Sequence, residues 1–327
     1  MKKALVTGAG GFIGHHLVNS LKAKGFYVVG VDIKQPEFDG SKADEFVIHD
    51  IRKETGEWLS LFQGVDDVWA LAADMGGMGF ISKNHAFIMK DNVLINITTL
   101  EAARKAKVKR YLYTSSACVY PDHLQTDTNV ISLAEHMAYP ANPQDGYGWE
   151  KLYTEKLCEY YEKEHSINMR IVRFHNIYGP LGTWQGGREK APAAMCRKVA
   201  EAIEAGKDFI EIWGDGEQTR SFCYIDDCIK GLHLIMDSGY GQPLNLGRDK
   251  MVTINQLADT VMKAAGVCLR KVHVPGPQGV RGRNSDNALS RKVMGGWTPE
   301  ISLEAGIQKT YAWINEQVQR TPVSLIS

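Results

Sequence analysis

Neither sign of charge is in excess in this sequence: 38 Lys and Arg stand against 38 Asp and Glu, a formal net charge of zero. With no basic surplus and no clustered basic stripe, neither nucleic acid nor an anionic membrane surface is expected as a partner. No apolar run approaches the roughly 20 residues that cross a bilayer. Met1-Lys2-Lys3-Ala4-Leu5-Val6 opens like a secretory leader, but glycines interrupt it almost at once. The six cysteines (Cys118, Cys158, Cys196, Cys223, Cys228 and Cys268) form no Cys-x-x-Cys pair and share no zinc-type spacing with histidine. Most are expected as small buried hydrophobes in a reduced, cytoplasmic protein with no metal. Internal repeats and low-complexity linkers are missing as well.

What is present is an ordinary globular composition, 44% hydrophobic and 23% charged over 327 residues. That length serves one large domain or two smaller ones sharing an interface. Lys3-Ala4-Leu5-Val6-Thr7 leads into Gly8-Ala9-Gly10-Gly11-Phe12-Ile13-Gly14. Ile13, Leu17 and Leu21 follow at helical spacing, Gly25 stops the helix, and a second apolar run ends in Asp32. The pattern G-x-G-x-x-G fails from Gly8 because Ile13 occupies its last position, whereas Gly8, Gly11 and Gly14 satisfy G-x-x-G-x-x-G. Glycines in a turn are, alone, only a turn. With strand, helix and acid all in place they predict a dinucleotide cradle: a tight turn, backbone close to a pyrophosphate, and N–H groups at a helix start. Asp32, about 20 residues on, is placed to accept from the ribose hydroxyls of NAD and to repel a 2′-phosphate.

Strand and helix alternate further, which predicts a doubly wound parallel α/β Rossmann sheet with a smaller C-terminal substrate-binding domain. Asp50-Ile51 at one strand end is a candidate adenine contact, though a solvated acid fits there nearly as well. The glycines of Ala72-Ala73-Asp74-Met75-Gly76-Gly77-Met78-Gly79 suggest close backbone approach to a ligand, or simply a mobile loop. Residues 92–106 read as a helix, Arg110 to Ser115 as a strand, and a long helix opens near Tyr147. After Asn176 the rhythm changes. A helix over residues 192–205 precedes a hairpin-like pair, 209–213 and 218–224, joined at Gly214-Asp215-Gly216. The expected division is residues 1–176 plus about 225–250 for NAD, and 177–224 plus about 251–327 for the substrate.

The chemistry centres on Thr114-Ser115-Ser116-Ala117-Cys118, where a strand gives way to a loop, the edge at which parallel sheets bind ligands. Tyr147 and Lys151 stand four apart and share one helix face. Tyr-x-x-x-Lys alone is weak, but downstream of a nucleotide fold it predicts a redox pair. Bringing a phenol from a pKa of about 10 toward 7 takes about 4 kcal/mol, within reach of two close positive charges. The phenolate would take a proton from a substrate hydroxyl that Ser116 also binds, while hydride leaves the same carbon. Cys118 suits a further task, since a thiolate can remove a carbon-bound proton once a neighbouring ketone has made it acidic.

Gly8-x-x-Gly11-x-x-Gly14, Ser116 and Tyr147-x-x-x-Lys151 resemble the extended short-chain dehydrogenase/reductase family over nearly the whole chain. That family acts largely on nucleotide sugars. Ala117-Cys118 departs from its 4-epimerases (a hydroxyl residue), decarboxylases (a glutamate) and 4,6-dehydratases (an Asp-Glu pair). Longer runs, among them Gly186-Gly187-Arg188-Glu189-Lys190-Ala191-Pro192 and Gly282-Arg283-Asn284-Ser285-Asp286-Asn287, resemble its GDP-sugar epimerases. The resemblance implies oxidation at carbon 4 by Tyr147, Lys151 and NAD, acid/base inversion at carbons 5 and 3 by Cys118 and Lys190, and re-reduction. It places NAD on Gly8, Gly11, Phe12, Ile13, Gly14, Asp32, Asp50, Ile51, Ala72, Tyr147 and Lys151. It places a GDP-sugar on Gly76, Ser116, Ala117, Cys118, Asn176, Glu189, Lys190, Ala191, Lys198, Gln218, Thr219, Arg220 and Arg283, with Arg281 nearby. It also implies a homodimer through a four-helix bundle of residues 92–106 and 147–165 from each copy.

The alternative within the family is an epimerase/reductase of GDP-4-keto-6-deoxymannose, which uses a histidine acid and NADPH. Residues 181–190 hold no histidine, and Asp32 opposes a 2′-phosphate. A dinucleotide-sensing scaffold without turnover is the alternative from another class; such a protein would be expected to lack Ser116, Tyr147 or Lys151.

Overall fold

The computed structural model describes residues 1–277 and 279–320. Through the first half, short apolar runs alternate with amphipathic segments: β1 (Lys3–Thr7), α1 (Phe12–Ala23), β2 (Tyr27–Asp32), β3 (Glu45–Ile48), α2 (Gly56–Ser60), β4 (Asp67–Ala70), α3 (Met78–Ile81), α4 (His85–Lys105), β5 (Arg110–Ser116), α5 (Gly146–His165) and β6 (Asn168–Phe174). There follow β7 (Ile177–Tyr178), α6 (Ala191–Glu204), β8 (Phe209–Trp213), β9 (Thr219–Ser221), β10 (Cys223–Tyr224), α7 (Ile225–Asp237), β11 (Pro243–Leu246), β12 (Met251–Thr253), α8 (Ile254–Ala265), β13 (Arg270–Val274), β14 (Gly282–Arg283), α9 (Ala288–Val293) and α10 (Leu303–Arg320).

β1, β2, β4, β5 and β6 are buried along nearly their whole length rather than on alternate residues. Strands covered on both faces in this way belong in a parallel sheet. Seven strands pair in the order β11-β6-β5-β4-β1-β2-β3, every pair parallel. The order reverses between β1 and β4, so a crevice opens at their C-terminal ends. Gly8 marks it: its φ is +72°, and a Cβ there would lie 2.9 Å from the Ala72 nitrogen. One core fills the face under α1 and α7 and continues to α6, α8 and α10; the other lies under α2, α4 and α5. Cys158, Cys196, Cys223 and Cys228 are buried, Cys118 is half-buried and Cys268 is exposed.

Two expectations are corrected. Residues 209–213 and 218–224 form no hairpin. β8 pairs in parallel with β13, whereas β9 pairs with β12 and β14, and β10 with β7. The glycine turn after Trp213 separates the strands instead of returning one onto the other. The helix expected from residue 92 begins at His85; charged and polar residues in its first turns blur the apolar period. Among the described residues, no helix is long and apolar enough to cross a membrane, and no group of three or more His, Cys, Asp or Glu could hold a metal ion.

Under the edge of the sheet, Arg173 of β6 donates through Nε and Nη2 to Glu155 of α5 at 2.8 and 2.6 Å, and Ser115 Oγ donates to the same carboxylate at 2.5 Å. Both charged side chains are almost free of solvent. Arg173→Met would strand Glu155, at an expected cost of about 3–5 kcal/mol, read as a lower urea midpoint. The double variant with Glu155→Leu should recover much of that loss; a single variant with native stability would show that the pair anchors nothing.

Candidate active site

The glycine turn and the strand ends form one wall. α1 starts at Phe12 with no side-chain cap, leaving its first N–H groups for an anion. A Cβ on Gly14 would sit 2.0 Å from the Gly8 carbonyl oxygen, so helix and turn touch through backbone alone. Gly10, which the spacing pattern skips, is equally constrained: its Cβ would meet the Lys34 carbonyl oxygen at 2.2 Å, and its N–H donates to Asp32 Oδ2 at 2.9 Å. The doubled Gly10-Gly11 was the available signal. Asp32 also accepts from the Ile33 N–H at 2.7 Å; burial raises its pKa and these backbone donors oppose the rise. An open pocket lies against Gly10, Gly11, Phe12, His15, Phe38 and Leu181. Ile13 is half-buried in the first turn of α1. Bare glycine backbone, uncapped N–H groups and an acid at the end of β2 fit the pyrophosphate and ribose of NAD.

The other cofactor residues are less uniform. The Leu71 and Ala72 N–H groups donate to Thr7 Oγ1 at 3.1 and 3.2 Å, tying β4 to β1. Asp50 is gripped by Arg52 through Nε at 2.8 Å and Nη2 at 3.0 Å, and that guanidinium holds its carboxyl below the usual range. Ile51 is buried, its carbonyl accepting from Thr98 Oγ1 at 2.7 Å.

At the end of β5, Ser116 Oγ accepts the Cys118 N–H at 3.2 Å and so caps the turn Ala117–Val119. α5 packs on that turn through Gly148, where a Cβ would stand 2.2 Å from the Cys118 carbonyl oxygen. Tyr147 and Lys151, both buried, flank that contact on one helix face. Lys151 Nζ donates to the Thr114 carbonyl at 3.1 Å and lies 3.5 Å from Glu150 Oε1. Glu150, almost fully buried, went unnoticed in the sequence although it precedes Lys151. Burial pushes the Tyr147 phenol well above its ordinary pKa, Cys118 and Glu150 add to the rise, and Ser116 opposes it.

Around Cys118 the structure gathers three cations. Arg283 Nη1 donates to the sulfur at 3.4 Å, and its Nε donates to Gln125, itself buried. Burial lowers the pKa of Arg220 to about 9, with Arg283 contributing; Arg220 donates to the Thr219 and Val280 carbonyls at 2.7 and 2.6 Å. Lys190 caps α6 just before Ala191. Its residue surface is only half-buried, but its ammonium lies deep among protein atoms. Desolvation therefore lowers its pKa, while Cys118 and Cys228 pull it back up. Gly76 packs against Phe80, and Glu189 accepts from Arg197 at 2.9 Å.

The remaining predicted substrate residues lie in the neighbouring strands. Asn176, at a left-handed φ of +47°, donates to the Ser221 carbonyl at 2.9 Å. Thr219 Oγ1 donates to the Thr128 carbonyl at 2.7 Å. Lys198 and Gln218 gather instead at Trp213: Lys198 Nζ lies 5.2 Å from its ring centre, and Gln218 Nε2 donates to its carbonyl at 3.3 Å, leaving Oε1 buried without a partner. Arg281 is claimed by Asp215 through two bonds of 2.8 and 2.7 Å.

The lowered Lys190 pKa has a stability consequence. Between its folded value and the ordinary 10.5, the unfolded chain binds more protons, so stability rises with pH across that window. Lys190→Met is expected to melt higher than the native protein at neutral pH, with the difference closing toward pH 10.5. Thermal scans at several pH values check it, and a variant no more stable at neutral pH would contradict the desolvation.

The model of the NAD dependent epimerase/dehydratase family matches residues 4–247. The chain is 49% identical over 320 residues to a GDP-mannose 3,5-epimerase of Arabidopsis thaliana, covering 97% of this chain and 83% of that protein. Among solved structures it is similar to the UDP-glucose 4-epimerase of Thermotoga maritima with UDP-glucose, at a TM-score of 0.85 and 26% identity, covering 97% and 99% of the two chains. A second is the UDP-glucuronic acid 4-epimerase of Bacillus cereus with UDP-glucuronic acid and NAD, at a TM-score of 0.80 and 27% identity, covering 96% and 99%. With a parallel sheet reversed at Gly8, a glycine cradle under α1 and a Ser116–Tyr147–Lys151 cluster at the strand ends, this chain belongs to the NAD dependent epimerase/dehydratase family.

Proposed function

We propose that the protein is a GDP-mannose 3,5-epimerase, converting GDP-D-mannose to GDP-L-galactose, with GDP-L-gulose from inversion at carbon 5 alone. The observation that carries this reading is Cys118 set beside Tyr147, with an Arg283 N–H 3.4 Å from its sulfur and Lys190 within electrostatic reach. A redox tyrosine and an acid/base pair for carbon-bound protons thus share one pocket. The relative at 49% identity supports the same substrate.

The Gly8–Gly14 turn, the start of α1 and Asp32 would hold NAD, which when bound would supply reversible hydride transfer at carbon 4. Tyr147 takes the proton of the carbon 4 hydroxyl while Ser116 holds that hydroxyl, and Lys151 lends positive charge beneath the ring. Next to the resulting ketone, the protons on carbons 5 and 3 become acidic. Cys118, as thiolate, removes one from one face, and Lys190 delivers one to the other. Arg220 and Arg283 suit the diphosphate, planar donors matching its oxygens. In the return step the Tyr147 phenol hands the proton back to the carbon 4 oxygen. Residues 1–176 plus about 225–250 would serve NAD, and 177–224 plus about 251–327 the GDP-sugar. A non-catalytic scaffold is disfavoured because Ser116, Tyr147 and Lys151 are present and assembled.

We also infer a cytoplasmic homodimer. Phe87, Met89 and Leu94 of α4 and Trp149, Tyr153 and Tyr160 of α5 are exposed, an apolar surface that a second copy would cover as a four-helix bundle. Leu94→Glu should convert the sedimenting species to monomer; a monomer without the substitution would end this inference.

The function is tested by incubating purified protein with GDP-mannose, with and without added NAD, and analysing the sugars. Two epimerised GDP-hexoses are expected. In heavy water, Cys118→Ala should lose deuterium uptake into the sugar, and Tyr147→Phe should slow every product by about 10²–10⁴-fold. Undiminished exchange in Cys118→Ala would remove the thiol from the mechanism, and unaltered GDP-mannose with native protein would remove the reading.

A further inference from the structure

Two loops meet beside Lys190, and one side chain makes most of the contact. Arg188 Nη1 donates to Asp74 Oδ1 at 2.8 Å and to the Met75 carbonyl at 3.5 Å. Its guanidinium carbon lies 3.7 Å from the centre of the Phe80 ring, a stacked cation–π arrangement. The main chain completes the seam: the Gly77 N–H donates to the Arg188 carbonyl at 3.0 Å, and a Cβ on Gly77 would stand 2.5 Å from the Glu189 carbonyl oxygen.

Each side of this contact is anchored differently. Asp74 is held from behind by Asn92 of α4, fully buried, which accepts the Asp74 N–H at 2.6 Å and donates to its carbonyl at 3.1 Å. Asn92 lies beside Glu150, the partner of Lys151, and eases the charge on that carboxyl. That side is therefore rigid and continuous with the redox pair. On the other side, Gly186 and Gly187 precede Arg188 at φ of +83° and +81°, conformations glycine adopts without strain, and a Cβ on either would meet nothing. Beyond them the Trp184 carbonyl accepts from Arg197 Nε at 3.1 Å, so the two glycines separate that anchor from the Arg188 clamp, which sits two residues before Lys190.

We propose that Arg188 is a positioning residue for Lys190: by clamping its loop to Asp74, Gly77 and Phe80, it sets the acid of the inversion step in register with Tyr147 and Lys151. This rests on the epimerase reading above. The rival view is an ordinary surface ion pair, since the two side chains are 47% and 31% exposed. Such a pair adds little to stability, so its removal leaves the fold intact and separates the two views by function.

The test compares native protein with Arg188→Ala, Arg188→Lys and Asp74→Asn. Melting points should agree within about 2 °C. On mixing with GDP-mannose, formation of reduced nicotinamide should change less than about two-fold, whereas formation of inverted sugars should fall about 10–100-fold in kcat with little change in KM. Arg188→Lys should restore part of this. A readout needing no turnover is the pH dependence of amine labelling at Lys190. The groups facing that ammonium are Cys118 from the turn after β5 and Cys228 from α7; its chain neighbour Glu189 is already paired with Arg197. Releasing the loop hydrates the amine, so its labelling midpoint should move to higher pH in Arg188→Ala. An unmoved midpoint, or equal losses in oxidation and inversion, would overturn the positioning role. A native protein that leaves GDP-mannose unchanged would overturn the epimerase reading instead, with the labelling experiment still deciding the clamp.

Discussion

Lys151 and Glu150 face each other 3.5 Å apart with almost no contact with solvent, and the character of the site follows from that pair. An ammonium buried alone at this depth would be strongly disfavoured; opposite a carboxylate it can stay charged, at a desolvation cost that mutual attraction barely offsets. The pair therefore stabilises the fold little, while Glu150 adds to the rise that burial and Cys118 impose on the Tyr147 phenol. It also joins the helices, since Asn96 of α4 donates to Glu150 and Thr154 of α5 at 3.4 and 3.2 Å. The helix bearing Tyr147 and Lys151 is thus registered against its neighbour by polar groups in a place where water does not compete.

Burial acts on the reactive groups with a consistent sense. It raises Tyr147, lowers Lys190 and lowers Arg220, in each case favouring the uncharged form. A phenol and an amine with ordinary values near 10 and 10.5 respond oppositely in direction but alike in charge.

The sheet and the cradle were legible because they depend on local pattern. Unbroken apolar runs, Gly8, Gly11 and Gly14, an acid at position 32 and a Tyr–Lys pair one turn apart are all contained in short windows. Other features depend on partners remote in sequence. Residues 209–213 alternate as any edge strand would, and only the arrival of residues 270–274 makes them parallel. Glu150 drew no notice because helical spacing alone does not show that α4 covers it. Gly10 was passed over for matching no motif, although its contact with Lys34 is closer than that of Gly11 with Gly8.

Gly148 carries a last consequence. The residue after Tyr147 lacks a side chain because the carbonyl of Cys118 occupies that space. Backbone rests on backbone, so the distance from helix to turn is independent of whichever group projects from position 118. The turn behaves as a socket: its reactive group is interchangeable, while the frame presenting a carbon beside the redox centre keeps its dimensions. Chemistry at that position can change by substitution alone, with no rebuilding of the fold beneath it.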